Sequence, residues 1–140
     1  METEDRSFTA LPCKDFVEIL ASKAAVPGGG GASALVGSIG VALGHMVGSL
    51  TLGKKKYAAV DENIQRCQQQ ANALAKRLLD LMDEDARAFE PLSKAYGLPH
   101  ATPEETARKA QVMEQALLTA CGAPMEILRA CAEAIDLMAE

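Results

Sequence analysis

The apolar positions divide the chain into helical segments separated by glycine and proline. Phe16, Val17, Ile19 and Leu20 recur at helical spacing behind Pro12 and predict a short helix from about Cys13 to Lys23. A glycine loop follows, and a second helix is expected from about Ala32 to Leu52, closed by Gly53. The third and longest helix carries a stripe through Val60, Ile64, Cys67, Ala71, Leu74, Leu78, Leu81 or Met82, Asp85, Phe89, Leu92 and Tyr96, stepping by three or four. Pro91 lies inside that stripe and is expected to kink or interrupt it, and Gly97 and Pro99 end it. Thr102-Pro103-Glu104-Glu105 reads as a capping box with proline at the first helical position, opening a fourth helix to about Cys121. Gly122 and Pro124 break it, and helical periodicity then resumes from Met125 to Glu140, still amphipathic at the last residue. No strand pattern or internal repeat is present. The expected architecture is all-α: a single domain over residues 1–140, an up-and-down bundle with a buried glycine-rich central helix and one long helix.

The second helix is unusual in composition. Four consecutive glycines, Gly28 to Gly31, lead into it, although glycine costs about 1 kcal/mol in a helix relative to alanine. Within it Gly40, Gly44 and Gly48 are four apart, with Gly37 near the same side. That spacing makes a groove into which another backbone can pack closely. No Lys, Arg, Asp or Glu occurs from Gly28 to Gly53. A membrane span of about 20 apolar residues has this length, but the glycines, His45, Ser38, Ser49 and Thr51 dilute the run. A central helix covered by neighbours is therefore the expectation.

Composition narrows the class. Aromatics are 4% and Trp is absent, so the core must be built from small and aliphatic side chains, as in close-packed helices. A net charge of −5 argues against a general nucleic-acid binder. Cys13, Cys67, Cys121 and Cys131 form no CxxC pair, and with only His45 and His100 beside them no zinc spacing can be assembled. Free thiols in a reducing cytoplasm are expected, and the polar start METEDRS does not have the form of a signal peptide.

Three features could carry chemistry. Asp85 interrupts the apolar stripe between Met82 and Phe89. A carboxylate there is costly unless paired, and burial or a nearby lysine would shift its pKa in opposite directions. Either makes it a candidate general acid or base, unless the stripe drifts and turns it to solvent with Asp83 and Glu84. The glycine loop has no GxxxxGK[ST], and Ser33 spoils GxGxxG, yet a helix opening at Gly30 and Gly31 offers free N–H groups to an anion or polar atom. Lys54, Lys55, Lys56 and Tyr57 form a compact basic block, read either as a solvated helix end or as a landing site for a carboxylate-rich ligand. His45 has no metal partner in the sequence and reads as a buried or interface residue.

Three segments together, PGGGGASALVGSIGVALGHMV, SLTLGKKKY and DEDARAFEPLSKAYGLP, resemble the cyclodeaminase/cyclohydrolase family of one-carbon folate metabolism. This family includes the cyclodeaminase domain of formiminotransferase-cyclodeaminase and stand-alone bacterial methenyltetrahydrofolate cyclohydrolases. The resemblance implies an all-helical homodimer or higher oligomer, with a tetrahydrofolate site near the glycine turn and the subunit interface. It implies no metal; no cofactor beyond the tetrahydrofolate substrate is expected, and the acidic charge and diluted apolar run lead to no expected nucleic-acid or membrane partner. Pro27, Gly28, Gly29 and Gly30 match the family turn, Lys54, Lys55, Lys56 and Tyr57 its basic block, and Asp85 and Phe89 its acidic block. The implied activity converts 5-formiminotetrahydrofolate to 5,10-methenyltetrahydrofolate and ammonia, with Asp85 as catalytic acid–base and the other matched residues binding substrate. The same site would serve a cyclohydrolase giving 10-formyltetrahydrofolate, and a non-catalytic oligomerisation module is the reading from a different class. Two departures stand out: Gly31 occupies a position where serine is common, and the family domain usually continues past Glu140 through further helices.

Overall fold

A computed structural model describes residues 7–140; residues 1–6, most of the polar start, lie outside the described residues. Five α-helices follow in order: α1 (Cys13–Leu20), α2 (Gly29–Thr51), α3 (Asp61–Tyr96), α4 (Pro103–Ala120) and α5 (Gly122–Met138). Short 3₁₀ turns span Phe8–Ala10 and Lys55–Val60, and there is no strand among the described residues. The all-α bundle expected from the sequence is present.

The 36-residue α3 is the axis on which the other helices lie. Its buried positions Ala71, Leu74, Leu78, Leu81, Met82 and Leu92 follow the expected stripe; Ala86 and Ala95, one residue off it, are also buried, while Val60 and Tyr96 at its ends are exposed. Pro91 neither stops the helix nor divides it; α3 runs on to Tyr96. The lost N–H bond is offset by packing just beyond it, with Leu92 and Ala95 buried against Ala116 of α4. Lys109 closes the helix, donating from Nζ to the carbonyls of Tyr96 (2.8 Å) and Leu98 (3.0 Å).

Contacts fix the directions of the neighbours. Asp85 meets Gly31, Ala75 meets Ser38 and Gln68 meets Ser49, so α2 runs antiparallel to α3 along most of its length. Arg77 pairs with Glu126 and Glu133, and Arg66 with Glu140, so α5 is also antiparallel to α3. α4 covers the C-terminal part of α3 and α5 the N-terminal part, with only Cys121 between them. The break expected at Gly122 and Pro124 is therefore a re-aimed continuation: α4 and α5 together match the length of α3. The capping box at the start of α4 is formed, with Thr102 Oγ1 accepting from the Glu105 N–H and Glu105 reaching back to the Thr102 N–H.

Small residues set the spacing. Ala34, Ala71, Ala130 and Ala134 line the main core with Leu78 and Met82, and Phe8 and Phe16 close its end. Gly37, Gly44 and Gly48 face neighbours: a Cβ at Gly37 would lie 3.1 Å from the Cys131 sulfur, one at Gly44 would collide with the Met138 sulfur, and one at Gly48 would lie 3.2 Å from Gln68. Gly40 does not join them; it faces open space.

Two expectations about α2 need correction. It begins at Gly29, three residues before the expected Ala32, because the loop glycines form its first turn. It is not buried on all sides. Only Gly31, Ala34, Ser38 and Val41 are fully buried, while Val36, Ile39, Leu43, Met46, Val47 and Leu50 are 50–69% exposed. α2 is long and apolar enough to cross a membrane by length and composition, and little of it is covered in this protomer.

Leu78 is fully buried where α2, α3 and α5 meet. Leu78→Ala is expected to destabilise the fold by about 2–5 kcal/mol through lost transfer energy and the residual cavity, read as a lowered denaturation midpoint.

Candidate functional site

The glycine turn is built by the sequence Val26-Pro27-Gly28. The Val26–Pro27 peptide is cis and Pro27 is buried, and Gly28 is the extended N-cap residue of α2. The first N–H groups of any helix lack intrahelical acceptors. Here the Gly31 N–H donates to Asp85 Oδ2 at 2.9 Å, so a carboxylate from α3 sits at the positive end of α2.

Gly30 makes that approach possible. A Cβ on Gly30 would lie 2.5 Å from the Asp85 carboxyl carbon, well inside contact distance. The carboxylate thus occupies the space that a side chain at position 30 would fill. Gly31 has no such requirement: a Cβ there would make ordinary contacts at 3.5 Å or more with Met82 and Pro27. A serine at 31 would fit, and its absence leaves the Asp85 partner unchanged, because that partner is the backbone N–H. This donor is legible in the sequence only in part: free N–H groups are expected at the turn, but no residue pattern aims them at α3.

Asp85 is half-buried, with Met82 and Ala86 buried beside it on the same helix. Desolvation pushes its pKa above the ordinary aspartate value, and the Gly31 N–H pulls the other way without cancelling the rise. No lysine contributes. The neighbouring Asp83, considered alongside it as solvent-facing, instead holds the structure together. It accepts from the Phe8 N–H and Ser7 Oγ, both at 2.7 Å, and ties the Phe8 turn to α3.

The other predicted residues fall in two places. Phe89, one turn beyond Asp85, is half-buried against the Leu92–Ala95–Ala116 cluster. Lys54, Lys55, Lys56 and Tyr57 are exposed in the connection after α2, where Gly53 turns the chain with φ +74° and the Lys56 ammonium lies 5.3 Å from the Tyr57 ring centre. The 23 residues of α2 separate them from the glycine turn by roughly 34 Å at 1.5 Å per residue. One protomer therefore brings Pro27–Gly31 and Asp85 together and leaves its lysine block at the far end. His45 is half-buried, with Nδ1 3.4 Å from Ser49 Oγ. Among the described residues no group of His, Cys, Asp and Glu could hold a metal ion, and the four cysteines are unpaired.

This arrangement can move a proton. A partly desolvated carboxylate with a raised pKa, next to backbone donors at a helix start, can accept a proton from a bound ligand and return it.

Comparison with known proteins follows the same residues. A family model described as formiminotransferase-cyclodeaminase matches residues 12–140. The methenyltetrahydrofolate cyclohydrolase of Methylorubrum extorquens is 43% identical over 122 residues, covering 87% of this chain and 59% of that protein. The formimidoyltransferase-cyclodeaminase of Sus scrofa is 34% identical over 123 residues, 88% of this chain and 23% of that protein. The crystal structure of formiminotetrahydrofolate cyclodeaminase from Thermotoga maritima superimposes with a TM-score of 0.72 at 30% identity, covering 87% of this chain and 57% of that one. The chain thus spans under three fifths of the bacterial proteins it matches and about a quarter of the animal one. With nearly its whole length matched by the family model, and with the glycine turn and Asp85 assembled into one site, the chain belongs to the formiminotransferase-cyclodeaminase family.

Proposed function

We propose that the protein is a one-carbon folate enzyme, a homodimer that closes the N5–N10 bridge of tetrahydrofolate with Asp85 as its acid–base. The observation that carries this is the Asp85 carboxylate lodged against Gly30 and hydrogen-bonded to the Gly31 N–H, in a chain of this family. In 5-formiminotetrahydrofolate, N10 attacks the formimino carbon on N5. The bond from that carbon to the formimino nitrogen then breaks, and ammonia leaves. Asp85 takes the N10 proton and returns it to the departing nitrogen; one further proton from solvent completes ammonia and leaves the methenyl cation. Desolvation favours this role, because a carboxyl with a raised pKa holds and releases a proton closer to neutrality. The glycine turn lets the ligand lie against bare backbone, and the lysines suit the glutamate tail.

A second reading has specific support. The 43% identity to the Methylorubrum cyclohydrolase exceeds the 34% identity to the pig cyclodeaminase. In that reaction water adds to the methenyl carbon, the bond to N5 breaks and 10-formyltetrahydrofolate forms, with Asp85 moving one water proton to N5 and the other released to solvent. Incubation with each folate, following methenyl absorbance and ammonia, separates the two. No change with either would refute both.

Asp85→Asn keeps an acceptor for the Gly31 N–H but cannot exchange a proton. It is expected to lower kcat by about 10²–10⁴-fold with a small effect on KM. Gly30→Ala drives a methyl into the carboxylate position, so kcat should fall in the same direction while far-UV circular dichroism stays helical.

Asp85→Asn should also stabilise the fold. The folded pKa is raised, so the native state binds more protons than the unfolded chain between 3.8 and the raised value, and stability falls as pH rises across that window. The gain in Tm from Asn should be full at neutral pH and vanish below pH 3.8. A gain that grows on acidification would contradict the desolvation account.

A further inference from the structure

The chain between Ser7 and Gly31 begins and ends on one turn of α3. At its start Asp83 accepts from the Phe8 N–H and the Ser7 hydroxyl, both at 2.7 Å, with Thr9 Oγ1 at 3.5 Å. At its end Asp85 accepts from the Gly31 N–H at 2.9 Å. Two residues apart on a helix, the two carboxylates leave α3 about 160° from each other. The strap they pin therefore runs from the flank of α3 round to its core-facing side.

Little else holds this strap. Of the eight residues of α1 only Phe16 is buried, and Val17 and Leu20 are exposed. Phe8 is buried in the same cluster as Phe16, Met82 and Ala86, with Leu11 and Val26 packed against that cluster and Pro27 buried next in the chain. Met82 and Ala86 are also the buried residues beside Asp85, so the strap and the carboxylate share one packed cluster.

We propose that Asp83 is a positioning residue for the reaction: its two short bonds hold Phe8 in the cluster with Met82 and Ala86, which seats the Val26–Gly31 turn against Asp85 and keeps water from that carboxylate. An ionised acceptor makes such bonds about twice as strong as neutral ones, which suits a clasp at a sparsely anchored end. Charges on the surrounding elements do not serve this purpose. α2 has none, Lys14, Asp15, Glu18 and Lys23 of the strap and Glu84 and Arg87 of α3 are exposed, and Glu90 pairs with Lys94. α4 carries no charge after Glu114, and Glu126 of α5 pairs with Arg77 and Arg129. The contribution to catalysis rests on the folate reading; the coupling from Asp83 to Asp85 does not.

Carbon-13 NMR of the aspartate carboxyls tests the coupling without reference to activity, with the Asp85 signal identified by its loss in Asp85→Asn. Asp83→Ala should lower the Asp85 pKa toward the ordinary 3.8 as water enters, and the Gly31 amide should exchange faster. Loss of a neighbouring negative charge would also lower it, and two variants separate these routes. Asp83→Asn removes the charge but keeps an acceptor for the Phe8 N–H, and should stay near the parental value. Phe8→Ala keeps the charge but removes the buried ring, and should reproduce Asp83→Ala. Ser7→Ala/Thr9→Ala leaves the core intact and should move Asp85 the same way by less; it decides the matter where the other variants fail to fold. Thr102→Ala, which uncaps α4, should leave Asp85 unmoved. A fall in Asp83→Asn equal to that in Asp83→Ala would assign the effect to charge and overturn the proposal. An Asp85 titration unmoved by loss of the Asp83 bonds, or moved equally by Thr102→Ala, would overturn it as well.

With an active folate, Asp83→Ala should lower kcat about ten- to a hundredfold with KM little changed, and Asp83→Asn should restore it. The acidic limb of the kcat profile should move to lower pH in Asp83→Ala, following Asp85 as the base. A parental chain inactive on both folates would refute the folate reading, while the titration would still decide the coupling.

Discussion

The hydrogen bond from the Gly31 N–H to Asp85 depends on how closely α2 and α3 approach, and much of the fold serves that approach. A carboxylate on one helix can reach the first turn of another only where the facing position carries no side chain. Gly30 supplies that gap, and Gly37, Ala34 and Ser38 keep the two axes close further along. Ser38 satisfies its own hydroxyl by donating to the Ala75 carbonyl at 3.1 Å, so a buried polar group adds no unmet donor to the seam. The glycines that weaken α2 as an isolated helix are the residues that let it dock, with packing energy offsetting their propensity cost.

What can be read from the sequence follows from which forces are local. The α3 stripe and the Thr102 capping box are legible because periodicity and cap chemistry are properties of neighbouring residues. The start of α2 is misplaced by sequence reasoning because propensity argues against helix through Gly29–Gly31, whereas the Asp85 acceptor, which is non-local, favours it. Pro91 is expected to kink or interrupt α3; the helix is not interrupted, because burial of Leu92 and Ala95 on α4, which no local pattern announces, offsets the cost. The covering of α2 is illegible for a different reason. An uncharged apolar helix must be covered by something, but its composition does not distinguish a neighbour in the same chain from a second copy.

The candidate site is legible by residue type and not by arrangement. Asp85 stands out because a carboxylate on an apolar stripe is rare, and it does sit partly desolvated. Its partner cannot be deduced, since the donor is a backbone group that carries no sequence signal. The separation of the lysine block is, by contrast, implicit in the sequence: a helix of this length cannot bring its two ends together. The family resemblance groups the glycine turn, the lysines and the aspartate in one site, and only the rise per residue shows that a single protomer does not.

These constraints meet in α2, which serves three functions on three surfaces. Its first turn offers N–H groups to Asp85, its inner face packs on α3 and α5 through glycines, and its outer face is apolar. A charged residue on the inner face would be buried without a partner, and one on the outer face would interrupt its apolar stripe. An acidic residue in the first turn would compete with Asp85 for the free N–H groups, and a basic one would set a like charge at the positive end of the helix. The absence of Lys, Arg, Asp and Glu from Gly28 to Gly53 is then one consequence of all three demands acting together. The charges of the proposed site lie at its flanks: the carboxylate on α3 and the lysines just past Gly53. A helix forbidden charge along its whole length can still have charge at both ends.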